Sequence, residues 1–267
     1  MPPDAATTAS PRRGVWMFPG TSAEALVDAV VAAEELGLDE VWIADEGVAR
    51  DPFVVLAAGA VRTSRIRLAT GITSPLLRHP GAIAASIATI DELSHGRAVL
   101  GLGVGGQLSL APFGIEADRP VGTLRDAIET VRAVHSHTAT DRYEPPAHAS
   151  PARSVPIWIG ARGPQLVRLT ARLADGLFLS GCTPRELETI IEGASDAGGT
   201  DLAVYQSAVD RPDDAKEMTW DAAAVSLAAA ARLHAPAAIG INLVELAEDG
   251  TDPVPLVERA AQVLLGV

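Results

Sequence analysis

Short runs of consecutive apolar residues recur along the chain, each followed by a longer stretch with helical periodicity. The runs are GVWMFP (14–19), EVWIAD (40–45), RLATGIT (67–73), AVLGLGV (98–104), PIWIGA (156–161), GLFLSG (176–181), LAVYQSAV (202–209) and AIGINLVEL (238–246). Continuous rather than alternating apolar character marks parallel strands buried on both faces. The helical stretches carry their own start and stop signals. Ser22 caps the first, which stops at Gly37; Asp51-Pro52 opens the second; Pro80 opens the third, which stops at Gly96. The fourth runs from Pro120 to His137, and Pro164, Pro184, Trp220 and Pro253 lie near the starts of the rest. Eight strand-then-helix units without a long linker predict an α/β fold, a single-domain (β/α)8 TIM barrel over residues 14–267, behind a disordered extension at 1–13. Chemistry in such a barrel sits where strands end and helices begin. The irregular piece 105–119 therefore falls on the active face and 138–155 on the opposite one.

Composition removes several function classes. A formal charge of −13 over 267 residues disfavours nucleic acid and anionic membranes as partners. The single cysteine, Cys182, excludes a disulfide framework and a zinc cluster. No run reads as a signal peptide or a membrane span, so the expected location is cytoplasmic. Lys216, the only lysine, lies in a polar stretch before Trp220, which argues against a Schiff-base aldolase. Histidines and carboxylates do not converge at strand ends, so no metal site is expected. A barrel of this kind borrows its chemistry from an organic cofactor.

Several motifs stand at the active face. In LATGITSPLLRHPG (68–81) Gly71 interrupts the third strand just before Ile72 and Thr73, and Pro75 forbids further ladder bonds. GLGVGG (101–106) formally fits a dinucleotide fingerprint, but that fingerprint needs a helix to open on Gly106 and Gln107 to Pro112 read as leading into a loop, so Rossmann binding is rejected. Its glycines either let the backbone approach a ligand or give plain packing clearance. IGARGPQ (159–165) places two glycines and Arg162 before a helix start, an anion site by chemistry; the alternative is a carboxylate partner for Arg162. In IADEG (43–47) alternation lets only one of Asp45 and Glu46 enter the mouth, and the other caps or pairs. His79 stands above the active face at the start of the third helix, as a catalytic candidate or a structural histidine. His135 and His137 imitate a metal pair but complement a helix end in water. His148 and His234 read as surface residues.

The segments AEELGLDEVWIADE, DPFVVLAAGAVRTSRIRLATGITSPLLRHPGAIAASIATIDELSHGRAVLGLGVGG, LRDAIETVRAV and VPIWIGARGPQLVRLTARLADGLFLSG together resemble the luciferase-like flavin and deazaflavin oxidoreductases. They are most similar to the subgroup that uses coenzyme F420, a hydride-carrying 5-deazaflavin. The resemblance implies a luciferase-like (β/α)8 barrel and a non-prolyl cis peptide at Gly71–Ile72, against which the cofactor ring is braced. It implies a cofactor site at Asp45, Gly71, Ile72, Thr73, Gly103, Val104, Gly105, Gly106, Gly160, Ala161, Arg162 and Gly163, with the phosphate near Gly103–Gly106 and Gly160–Gly163. Many relatives have a histidine at the position of Glu46 and a glutamate in the loop after strand four, where this chain reads VGGQLSL. Glu46 and His79 are then the proton-transfer candidates. Phe18 and Pro19, after strand one, would face a largely apolar substrate or ring. Arg50, Arg78, Arg119 and Arg168 could each serve an anionic glutamate tail. The family commonly dimerises through its second and third helices, and FVVLAAGAV and GAIAASIATI are apolar nearly all round. The reading is an F420-dependent oxidoreductase acting on a small organic molecule. Alternatives are an FMN-dependent monooxygenase, a cofactor-binding protein without catalysis, and an isomerase that needs no cofactor.

Overall fold

A computed structural model describes residues 10–47, 49–147, 152–213, 216–247 and 250–266. Its strands are β1 (Arg12–Met17), β2 (Glu40–Ile43), β3 (Arg67–Thr70), β4 (Ala98–Leu102), β5 (Ile157–Gly160), β6 (Gly176–Ser180), β7 (Asp201–Ala208), β8 (Glu217–Met218) and β9 (Ala238–Leu243). All pair in parallel. β1 to β6 follow chain order, β7 pairs with both β6 and β9, and β9 returns to β1. That closes an eight-stranded barrel, with β8 as a short extra strand on β7. The strands are the eight apolar runs, and the expected (β/α)8 fold is the one adopted.

The helices are α1 (Ala23–Glu35), α2 (Pro52–Arg62), α3 (Pro80–Leu93), α4 (Gln107–Leu110), α5 (Pro120–Ser136), α6 (Pro164–Leu173), α7 (Pro184–Asp196), α8 (Trp220–His234) and α9 (Val254–Leu265). Their starts follow the local chemistry. Ser22, Asp51, His79, Thr183 and Thr219 each accept a hydrogen bond from a backbone N–H of the first turn, and Thr183 completes a capping box with Glu186. None of the described helices is long and apolar enough to cross a membrane.

Two apolar layers result from strand alternation. Val15, Met17, Val41, Ile43, Leu68 and Leu100 face outward into the helix layer. Trp42, Trp158, Phe178 and Tyr205 fill the barrel interior, with Trp42 and Phe178 ring centroids 4.4 Å apart. Such large rings fit because small residues face them: a Cβ at Gly240 would lie 2.1 Å from Tyr205 Cε1, and one at Gly176 2.5 Å from Trp158 Cδ2. Below the rings, Glu40 accepts hydrogen bonds from Trp42 Nε1 at 2.8 Å and Tyr205 Oη at 2.9 Å, and pairs with Arg12 and Arg67.

Three expectations need correction. Arg12 and Arg13 belong to β1, not to the N-terminal extension, because Arg12 is needed to neutralise Glu40; residues 1–9 lie outside the described residues. His135 is not in water: it is buried, its Nε2 lies 3.1 Å from Ala84 O on α3, and burial pushes its pKa down. The loop 105–119 holds the one-turn helix α4, which does open directly after Gly106; the closed barrel, rather than a missing helix, excludes a Rossmann site. His148 lies outside the described residues.

Candidate active site at the barrel mouth

A cavity of about 330 Å³ opens at the carboxyl ends of the strands. Its floor is the kink after β3. The Gly71–Ile72 peptide is cis, as the resemblance implied. The kink is tied from every side: Gly71 N–H donates to Ile43 O at 2.7 Å, Trp16 Nε1 donates to Gly71 O, and Thr73 N–H donates to Gly101 O at 3.0 Å. Gly103 N–H closes the set on Thr73 O at 2.9 Å.

The glycines of GLGVGG divide between the two readings left open for them. A Cβ at Gly103 would lie 2.2 Å from Ile72 Cδ1, and one at Gly160 2.4 Å from the same atom. Gly101 is closer still, with 2.0 Å to Thr70 O. Gly101, Gly103 and Gly160 therefore make the notch that seats Ile72, and Gly103 is not on the cavity wall. Gly105 and Gly106 are on it, together with Val104. Gly105 has φ +85°, a conformation that favours glycine. Gly103→Ala is expected to cost about 1–3 kcal/mol by overpacking and to push Ile72 into the cavity. In an Ile72→Ala background the same substitution should cost under about 1 kcal/mol, which a denaturation double-mutant cycle checks.

Both acidic residues of IADEG reach the cavity, because β2 ends at Ile43 and alternation no longer separates them. Their roles differ. Asp45 is occupied: its Oδ2 accepts from Thr73 Oγ1 at 2.6 Å and from Arg78 Nε at 2.9 Å. Thr73 itself is buried and touches the site only through Asp45. Burial disfavours the Arg78 cation, but its bonds to Asp45 and Asp51 outweigh that and raise its pKa. The Glu46 carboxyl has no hydrogen-bond or ion-pair partner among the described residues, and burial raises its pKa above the ordinary carboxylate value. It lies beside the backbone of Gly106.

The opposite wall comes from the β5–α6 junction. Gly160, Ala161 and Arg162 line it, while Gly163 is the N-cap of α6 without a side-chain cap of its own. Arg162 has no carboxylate partner among the described residues; its Nη2 donates to Ser180 O and to Gly181 O. Ser180 also faces the cavity, and its Oγ accepts from Asn242 Nδ2 at 2.9 Å.

Three candidates fall elsewhere. His79 is exposed, and its Nδ1 accepts the Gly81 N–H at 3.1 Å to cap α3; it borders a separate hollow with Pro75 and Thr123. His79→Ala is expected to cost about 1 kcal/mol of stability as a lost cap and to leave turnover unchanged, measured by melting and steady-state rates. Phe18 and Pro19 do not line the cavity; Phe18 packs behind Trp16 with centroids 6.5 Å apart. The apolar wall is instead Trp16, Phe178 and Leu166, with Ser109 from α4 on the rim. Trp16 and Phe178 point inward by strand alternation, a signal hidden because both faces of these strands are apolar.

Comparison with known proteins bears on family and fold. The family described as Luciferase-like monooxygenase matches residues 5–259. The 5,10-methylenetetrahydromethanopterin reductase of Methanolobus tindarius is 33% identical over 187 residues, which cover 65% of this chain and 57% of that protein. An F420-dependent glucose-6-phosphate dehydrogenase of Kineococcus radiotolerans is 30% identical over 84% of this chain and 75% of its own length. The chain thus spans little more than half of the first of these relatives. The solved coenzyme F420 dependent tetrahydromethanopterin reductase of Methanopyrus kandleri covers 97% of this chain and 99% of its own, with TM-score 0.72 at 21% identity, a likeness of fold.

Proposed function

The chain belongs to the luciferase-like monooxygenase family, and on that premise we propose that it is an F420-dependent oxidoreductase acting on a small organic substrate. The observation that carries this reading is the composition of the mouth cavity. Ile72, Trp16 and Phe178 give it apolar walls, Gly105 and Gly106 leave backbone edges open, and Glu46 adds a carboxyl without a partner among the described residues. Those residues fit a planar tricyclic ring with polar edges. Ile72, Val104 and Ala161 would hold its faces. Arg162 and the uncapped first turn of α6 would take the phosphate of its side chain.

Bound F420 supplies a two-electron hydride carrier, chemistry that none of the side chains of the cavity provides. The protein's own part is to orient, to exclude water and to manage one proton. Apolar walls exclude water around the reacting atoms. Asp45, held by Thr73 and Arg78, ties the kink to the end of β2. Glu46, with its raised pKa, holds a proton closer to neutral pH than an ordinary carboxyl and exchanges it with a substrate oxygen. FMN shares the ring shape and the phosphate; the relatives named for F420 favour the deazaflavin. Turnover is tested by following reduced F420 against enones and oxidised F420 against alcohols. Acceleration with either class supports an enzyme. Tight binding with no turnover across both classes would leave a cofactor-binding protein.

The same reading includes a homodimer through α2 and α3. Val54 and Val61, seven residues apart on α2, are 65% and 66% exposed, as an uncovered contact stripe would be. Val54→Glu with Val61→Glu should convert a dimer to a monomer in light scattering; a wild type that is already monomeric removes this part of the reading.

A further inference from the structure

Between α5 and α6 lies a hollow of about 380 Å³, separate from the mouth cavity. Arg125, Arg168 and Arg172 surround it, over an apolar floor that includes Leu169 and Leu173. No carboxylate is among its lining residues that are described. Four other surface arginines are paired, Arg62 with Asp28, Arg132 with Asp175, Arg142 with Asp126 and Arg259 with Asp210; Arg185 on α7 and Arg232 on α8 stand singly, whereas Arg125, Arg168 and Arg172 share one hollow. These three make no hydrogen bond or ion pair through their side chains among the described residues. In a chain of net charge −13, three neighbouring guanidiniums left without acids are costly to one another and attractive to a polyanion.

The position adds direction. Leu166 lines the mouth cavity and Gln165, its neighbour in the first turn of α6, lines the hollow. A chain leaving the mouth past Arg162 would cross that turn and meet Arg168, then Arg172, with Arg125 opposite on α5.

We propose that the α5–α6 hollow, through Arg125, Arg168 and Arg172, binds an oligoanion, a flexible chain carrying two or more carboxylates or phosphates. The site rests on the arginines alone; its use by the far end of the molecule in the mouth rests on the function proposed above. Guanidiniums suit this ligand because each offers paired donors to a carboxylate or phosphate oxygen edge. Binding there weakens as salt rises, since the groups are exposed.

The test titrates the whole chain at low ionic strength with tripolyphosphate and with a γ-linked triglutamate peptide, by calorimetry. The partner variants are the triple Arg→Gln and the triple Arg→Lys at positions 125, 168 and 172, all exposed, with melting curves to show they fold. At least one oligoanion should bind the wild type, lose tenfold or more in the glutamine variant, and be largely kept in the lysine variant. If neither oligoanion binds the wild type, or the glutamine variant binds as well as the wild type, the inference fails. A second arm uses F420 with several glutamates and the same deazaflavin with the glutamates removed. Weaker binding of the trimmed form to the wild type, but not to the glutamine variant, assigns the hollow to the ligand in the mouth. Equal binding of both forms, with tripolyphosphate still held, assigns it to a separate polyanion and equally supports the site. Failure of the ring to bind at all leaves the oligoanion titrations readable.

Discussion

Glu46→Gln is expected to lower turnover by about 10²–10⁴-fold, the usual contribution of a positioned acid–base group, while making the protein more stable at neutral pH. The two effects share one cause. Glu46 has no partner among the described residues, so burial raises its pKa. A raised carboxyl pKa means that the folded chain holds this proton more tightly than the unfolded chain does. Stability from this group is therefore full below the unfolded carboxyl pKa and falls as pH rises through the folded one. Glutamine carries no charge, so the variant should melt higher than the wild type above that window and match it below. Rate and melting temperature measured across pH separate this account from a structural one. A merely structural Glu46 would lose stability on substitution and keep its rate.

Glu40→Ala is expected to cost about 3–5 kcal/mol, the range for removing one partner of a buried charge network. The Glu40 side chain is 2% exposed and answers four groups: Trp42 Nε1, Tyr205 Oη, Arg12 and Arg67. Its loss orphans two donors inside the ring layer and leaves two guanidiniums facing each other. Glu40→Gln should cost less, because an amide oxygen still accepts from Trp42 and Tyr205. Chemical denaturation measures both. Glu40 lies at the amino end of β2, away from the mouth, so the fraction that folds should bind ligand as the wild type does.

The same contrast explains what could be read from the chain alone. Helix starts were legible because proline, serine, threonine and aspartate act within one turn, as at Ser22, Asp51-Pro52 and Pro184. The kink at Gly71–Ile72 was legible from a glycine and a proline breaking a strand. Trp16 and Phe178 were not, since parallel strands are apolar on both faces and hide which side is inward. The notch of Gly101, Gly103 and Gly160 joins β4 and β5 around one side chain from β3, a relation with no local signature. His79 misled for a plain reason: a histidine at a helix start caps as readily as it catalyses. Arg168 stood among several arginines until α5 and α6 placed it beside Arg125 and Arg172.

The central claim is that the barrel mouth holds a deazaflavin ring, and a fluorescence titration of the purified protein with F420, and separately with FMN, tests it most directly. The account predicts saturable F420 binding in the micromolar range or tighter, with FMN at least about tenfold weaker, a difference of about 1.4 kcal/mol. Gly103→Ala, which drives Ile72 into the cavity, should weaken the F420 signal in the same assay. Preferential FMN binding would contradict the cofactor assignment, and no binding of either ring would contradict the whole reading of the mouth.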